Sequence, residues 1–208
     1  MTRIPFTGVV VLLSLGVLSG CSSAPQHKPG DEQRSALYQL RSGMLSSIES
    51  WSLEGRLAVA DGKEGGSGSF RWNRSEQASQ MDFHGALGRG AWRLNADRHG
   101  ALLELADGER YEAPTVNDLV SVRLGWSVPV DALAWWVRGL DAPGFDSTRL
   151  LDEEGRLSEL SQLDWVVEFS RYRDVNGIMM PGKITARQAD RSVKLAVRTW
   201  VLGSAAQP

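Results

Sequence analysis

Trp51-Ser52-Leu53-Glu54-Gly55-Arg56-Leu57-Ala58-Val59 is the stretch that decides the fold. Trp51, Leu53, Leu57 and Val59 alternate with Ser52, Glu54, Arg56 and Ala58, the period of two that a strand with one buried face requires. Gly65-Gly66-Ser67-Gly68 reads as a turn, and Phe70 and Trp72 continue the apolar face in a second strand. Met81 and Phe83 make a third, Trp92 and Leu94 a fourth, Leu103 and Leu105 a fifth. Asp107-Gly108 is a hairpin signal leading into Arg110 to Ala113. Strands this short, joined by tight turns, leave no room for the crossovers of a parallel sheet, so the pattern predicts an antiparallel meander.

The alternation stops at Thr115. Thr115-Val116-Asn117-Asp118 reads as a capping box ahead of Leu119, Val120 and Leu124, and Pro129 opens a second helix with Leu133, Trp136 and Val137 on one stripe and Gly139 at its end. The period of two returns with Leu157 and Leu160, then Trp165, Val167 and Phe169, then Ile184, then Val193, Leu195 and Val197, with turns at Asn176-Gly177 and Asp190-Arg191. Before the sheet, Leu37, Leu40, Met44 and Ile48 recur at helical spacing between Gln33 and Glu49, which predicts an amphipathic helix buried on that face. A long sheet with one apolar face must cover it. Three short helices are the available cover. The expected fold class is mainly β within α+β: a curved antiparallel sheet forming an unclosed β-barrel under short helices. Helices that fill such a mouth imperfectly leave an apolar cavity of about 300 to 1,000 Å³. The pattern leaves open whether that space is filled.

The chain's start carries a different signal. A lone positive charge at Arg3 precedes an apolar run from Val9 to Leu18, too short to span a bilayer as a permanent helix. Leu18-Ser19-Gly20-Cys21 then places a leucine three residues before the only cysteine, with small residues between, the pattern that lipoprotein signal peptidase reads. Residues 1–20 are therefore expected to be a signal peptide and Cys21 the acylated N-terminus. Ser22, where an aspartate would stand for retention, fits export to the outer membrane. The polar, proline-containing run from Ser22 reads as a tether, so that 21–32 form a lipidated N-terminus and flexible segment, 33–203 one domain, and 204–208 a short tail.

Composition narrows the function. One cysteine excludes an internal disulfide, so stability rests on burial. Without Arg3, 22 basic residues stand against 25 acidic ones, a formal charge of −3 that argues against a nucleic-acid partner. Eight tryptophans against three tyrosines and five phenylalanines supply flat apolar area for a thick core or a pocket wall. The three histidines, His27, His84 and His99, have no ligands at metal-site spacing. Gly65-Gly66-Ser67-Gly68-Ser69 lacks the final glycine of a nucleophile elbow, and Gly85, Gly88 and Gly90 do not follow the dinucleotide order. No catalytic residue, metal site or enzyme activity is assigned. One local feature stands apart. In Gly85-Ala86-Leu87-Gly88-Arg89-Gly90 glycines allow a tight excursion with one large apolar side chain at the tip. An isolated surface leucine is ordinary, and physics alone leaves its role open.

Taken together, Trp51 to Val59, Gly68-Ser69-Phe70-Arg71-Trp72, Ala86-Leu87-Gly88, Leu124-Gly125-Trp126-Ser127-Val128-Pro129-Val130 and Leu133-Ala134-Trp135-Trp136-Val137-Arg138-Gly139 resemble the LolB family of outer-membrane lipoprotein receptors in the lipoprotein-localisation pathway. The resemblance covers nearly the whole chain after the signal. It implies a LolA-like unclosed barrel and a receptor, working without cofactor beyond the lipid on Cys21, that sits as a lipid-anchored monomer on the periplasmic face of the outer membrane. Its implied partners are the periplasmic carrier LolA, acylated lipoprotein cargo and outer-membrane lipid. Ala86, Leu87 and Gly88 match the family's membrane-insertion loop. The chain departs from the family in Ala86, where many members have proline, and in Arg89 just beyond the loop. By facing, Trp72, Phe83, Trp92, Leu94, Trp126, Leu133 and Trp136 are the candidates for an acyl-chain cavity. The alternative is a structural or envelope-binding outer-membrane lipoprotein with a solid core and no cargo.

Overall fold

Alternation becomes burial strand by strand. In β1 (Trp51–Asp61) Trp51, Leu53, Gly55, Leu57 and Val59 are buried, while Ser52, Glu54, Arg56 and Ala58 between them are not. The structure, a computed structural model, describes residues 29–62, 64–85, 90–123 and 128–203. β1 is followed by β2 (Glu64–Arg74), β3 (Ala78–Gly85), β4 (Trp92–Asp97), β5 (Gly100–Leu105) and β6 (Arg110–Ala113), each paired antiparallel with the one before. Two helices, α2 (Val116–Arg123) and α3 (Val130–Trp136), interrupt the sheet. It resumes with β7 (Ser147–Leu151), β8 (Leu157–Gln162) and β9 (Trp165–Ser170). After a small separate hairpin of β10 (Arg173–Val175) and β11 (Ile178–Met180), it ends in β12 (Lys183–Gln188) and β13 (Arg191–Leu202).

These strands form one eleven-stranded sheet in the order β6-β5-β4-β3-β2-β1-β13-β12-β9-β8-β7. The first and last strands pair at its middle, and the edges β6 and β7 are not joined, so the barrel is unclosed. Curvature needs close backbone approach and a bulge. The register between β1 and β13 shifts between Glu54 and Gly55, after which Trp200 rather than Thr199 faces the core. A Cβ on Gly55 would lie 2.1 Å from the Ala196 carbonyl oxygen, and one on Gly68 2.1 Å from that of His84. Only glycine fits where the strands coil this tightly.

An aromatic chain runs along the concave face. The ring centroids of Trp51 lie 5.1 Å from Trp72 and 5.8 Å from Trp200, and Phe70 bridges Trp72 at 6.2 Å to Trp92 at 6.4 Å. Between α3 and β7, Gln162 acts as a buried hub. Its Oε1 accepts from Trp136 Nε1 at 2.9 Å and the Ala142 N–H at 2.8 Å, while its Nε2 donates to the carbonyls of Ala142 and Phe145. Every polar atom of the amide is matched, which is why a glutamine survives at 3% exposure.

The N-terminal helix α1 (Pro29–Ser46) corrects one expectation. The helix is present, but Tyr38, Arg41 and Leu45 are its buried residues, and Leu37, Leu40 and Met44 are exposed. Hydrophobic spacing alone selected the wrong stripe, because polar anchoring sets the rotation. The Tyr38 hydroxyl donates to the Asp141 carboxylate and accepts from the Asp141 N–H at 3.2 Å. At the other end, Arg138 Nη1 donates to the carbonyl of Leu45 at 3.1 Å, satisfying one of the acceptors a helix terminus leaves open. Arg138 is itself buried, 4.6 Å from the Trp135 ring centroid, and has no carboxylate partner among the described residues. Burial pushes its pKa down to about 10.

Candidate functional site

The concave face of the sheet and the two inserted helices enclose an apolar chamber. Leu57 and Val59 of β1, Phe70 and Trp72 of β2, Met81 of β3 and Trp92 of β4 form one wall, and Ile184, Val193 and Leu195 continue it across β12 and β13. Val120 of α2, Val130 and Leu133 of α3, and Val128 before them form the roof. Among the described residues no polar side chain lines the space. What stays empty is about 40 Å³, whereas pockets that hold lipid-sized molecules run from about 300 to 1,000 Å³. The chamber is closed down by its own roof.

That roof is fastened at a named point. Thr115 caps α2 as its sequence predicts, its Oγ1 accepting the Asp118 N–H at 3.2 Å. α3 starts after Pro129 with no side-chain cap of its own. Asn117 supplies one from α2: its Oδ1 accepts the Val130 N–H at 2.8 Å, and its Nδ2 donates to Asp131 Oδ2 at 2.9 Å. One amide thus staples the two helices over the chamber.

Of the sequence candidates, Trp72, Trp92 and Leu133 line the chamber. Phe83 stacks on Trp92 at 5.5 Å, and Leu94 is fully buried between Met81 and Leu103 in the neighbouring strands. Trp136, one turn beyond Leu133 at the end of α3, is fully buried away from the chamber lining, hydrogen-bonded to Gln162 and 6.3 Å from Trp165. Cys21, Ala86, Leu87, Gly88 and Trp126 lie outside the described residues. The flanks of the loop are described: β3 ends at Gly85, and Gly90 has a φ of 66°. Apart from Phe70, the lining residues that sequence reasoning did not single out are aliphatic. Leu57, Val59, Met81, Ile184, Val193 and Leu195 all sit on the buried face that the alternation predicts. Facing a gap rather than a neighbour is a property of the sheet's curvature, which has no local signal.

The outer face of the sheet is a solvated ion-pair surface. Glu54 takes Arg71 at 2.7 Å and Arg198 at 3.4 Å, and Asp82 takes Arg93 at 2.6 Å. Among the described residues no group of three or more histidine, cysteine or acidic side chains is placed to hold a metal ion, and no helix is long and apolar enough to cross a membrane.

Comparison with known proteins agrees with this architecture. Residues 49–200 match the family model described as outer membrane lipoprotein LolB. The outer-membrane lipoprotein LolB of Pseudomonas fluorescens is 35% identical over 193 residues, covering 92% of this chain and 94% of that protein. That of Pseudomonas aeruginosa is 34% identical over 188 residues, covering 90% and 92%. Among solved structures, a LolA superfamily protein from Nitrosomonas europaea superposes with a TM-score of 0.51 at 10% identity, covering 82% of this chain and 94% of that one. The structural likeness shows a LolA-like fold, and the sequence matches show more: this chain belongs to the LolB family of outer-membrane lipoproteins.

Proposed function

We propose that this protein takes lipoproteins from a periplasmic carrier of the LolA kind, holds their acyl chains beneath α2 and α3, and places them in the outer membrane. Cleavage after residue 20 frees Cys21 for acylation, and residues 21–32, the last four of which already belong to α1, link a monomeric domain, 33–203, to the membrane's periplasmic face. Multiple acyl chains on one cysteine give stable attachment where a single chain binds only marginally. Leu87, between Ala86 and Gly88, is the side chain that enters the bilayer when cargo is released. The reading needs no catalytic residue, nucleotide or metal.

The observation that carries it is a chamber whose described lining residues are all apolar and whose roof is a separate pair of helices joined by the Asn117 amide. Each methylene moved from a weaker to a stronger apolar site contributes up to about 0.8 kcal/mol, so transfer between carriers runs on differential burial. Since only about 40 Å³ is open, α2 and α3 must part from each other to admit a chain. The same figure favours the second reading, a lipid-anchored scaffold with a filled core.

One experiment decides between them. The domain lacking its signal and Cys21 is mixed with carrier already loaded with an acylated lipoprotein, and native mass spectrometry reports where the cargo resides. Movement of cargo to this protein is the expected result. Cargo remaining on the carrier overturns the receptor reading in favour of the scaffold.

A further inference from the structure

α1 is amphipathic with its faces exchanged. Between Gln33 and Ser47 its only charged residues are Arg34 and Arg41. Arg34 is half-buried and pairs with Asp31. Arg41 is 9% exposed, lies 5.6 Å from the Tyr172 ring centroid, and its Nε and one Nη have no hydrogen-bond partner. Leu40, the residue before it, is 74% exposed, Met44 45% and Leu37 37%. A rotation of about 100°, one residue's worth, would bury the leucine and free the arginine, yet Tyr38 and Leu45 pin the helix the other way. The outward face, about 10 Å from Leu37 to Met44 along the axis, is therefore apolar and uncharged.

Chain length says what lies against it. Pro29 lies eight residues after Cys21, and even fully extended that stretch reaches no more than about 29 Å. If Cys21 carries the lipid anchor, α1 begins within about one hydrocarbon-core thickness of the bilayer. A short tether of this kind supplies an effective concentration of order millimolar, enough for a stripe too weak to bind membranes unaided. We infer that Leu37, Leu40 and Met44 dock α1 on the outer membrane, at the boundary between headgroups and acyl chains, and hold the domain in a fixed pose there. This rests on the proposed lipid anchor. Glu32 precedes the stripe and Glu49 follows it, so apolar contact rather than headgroup charge carries the docking. The contact is separate from Leu87, since Gly85, the last described residue before it, ends β3 at the end of the strands away from Trp51.

The test uses the full lipidated protein in phospholipid vesicles. Acylation blocks the Cys21 thiol, so Leu40→Cys offers one site for an environment-sensitive fluorophore, with Glu112→Cys on exposed β6 as the control. Lipids carrying a nitroxide near the headgroup boundary are the quencher. The expected result is at least threefold stronger quenching at position 40 than at 112, unchanged by salt or by added anionic lipid. A Leu40→Glu/Met44→Glu variant labelled through Leu37→Cys is expected to lose that quenching while still receiving cargo from the carrier. Equal quenching at 40 and 112, in protein that co-floats with the vesicles, overturns the inference and leaves the receptor reading standing. Shielding of position 40 only when carrier is added, or only as protein concentration rises, overturns it in favour of a carrier or a second copy. Failure to co-float overturns the anchor and this inference with it.

Discussion

Replacing Asn117 by alanine should weaken the fold and tighten acyl-chain binding at once. The side chain makes two hydrogen bonds across the α2–α3 junction, and the Val130 N–H has no other cap. Each neutral bond contributes about 0.5 to 1.5 kcal/mol when buried, and these are partly exposed, so about 1 kcal/mol for the pair is the fair figure. The chamber has about 40 Å³ free, so on the proposed receptor reading the binding-competent state is one in which the roof has parted. A ligand that binds only a minor open state has its apparent affinity reduced by the population of that state. Removing about 1 kcal/mol from the closed state raises that population, and the apparent affinity, roughly fivefold. The assay is a fluorescence titration with an environment-sensitive fatty-acyl probe, paired with urea unfolding of the same samples. A variant that loses about 1 kcal/mol of stability but binds the probe no more tightly would refute the idea that the two helices separate on loading. It would point instead to a roof that lifts as a unit or never lifts.

Three other outcomes follow from the same geometry. Leu87→Glu should accept cargo from the carrier normally yet deliver less than about a tenth of it to liposomes, because a carboxylate resists the hydrocarbon; normal delivery removes the loop from the mechanism. Gln162→Leu strands the Trp136 and Ala142 N–H groups and the Ala142 carbonyl in the core, and should lower unfolding free energy by about 2 to 4 kcal/mol at unchanged urea m-value; a loss under about 1 kcal/mol would show that the hub is dispensable. The Tyr38 hydroxyl is pushed up to about 12, chiefly by burial and then by its bond to Asp141. Below pH 10 it is neutral in both states. Above that the unfolded chain ionises first, so stability falls with rising pH until the folded group ionises too. Between pH 9 and 11.5 this amounts to about 2 kcal/mol, and Tyr38→Phe should lack that share of the alkaline loss in urea titrations.

What could be read in advance, and what could not, divides along physical lines. Period-two alternation from Trp51 to Val59 recurs through β2, β4, β9 and β13, so strands with one strongly buried face announce themselves. β7 did not, because Ser147-Thr148-Arg149-Leu150-Leu151 is an edge strand with no fully buried residue. The capping box at Thr115 was legible because a cap is local chemistry. The rotation of α1 was not, since it is set by Asp141 and Arg138, about a hundred residues away. The chamber shows the same limit from the other side: its wall residues were visible as buried, but Trp72 and Trp136 look alike in sequence, and only the fold separates a side chain that borders space from one that borders Trp165.

The pairing of β1 with β13 at the centre of the sheet has a consequence for how the chain comes to exist. β1 through β6 can zip up as each strand follows its predecessor, and β7, β8 and β9 likewise. Neither half has a seam until β13 arrives, some 140 residues after β1. Closing a loop of that length makes the central pairing the slow, late step of folding. Until β13 is available the chain can form only two half-sheets with open edges and no shared core. Synthesis order thereby delays the native state until the last strand is made and leaves the midline of the sheet as the final thing to form.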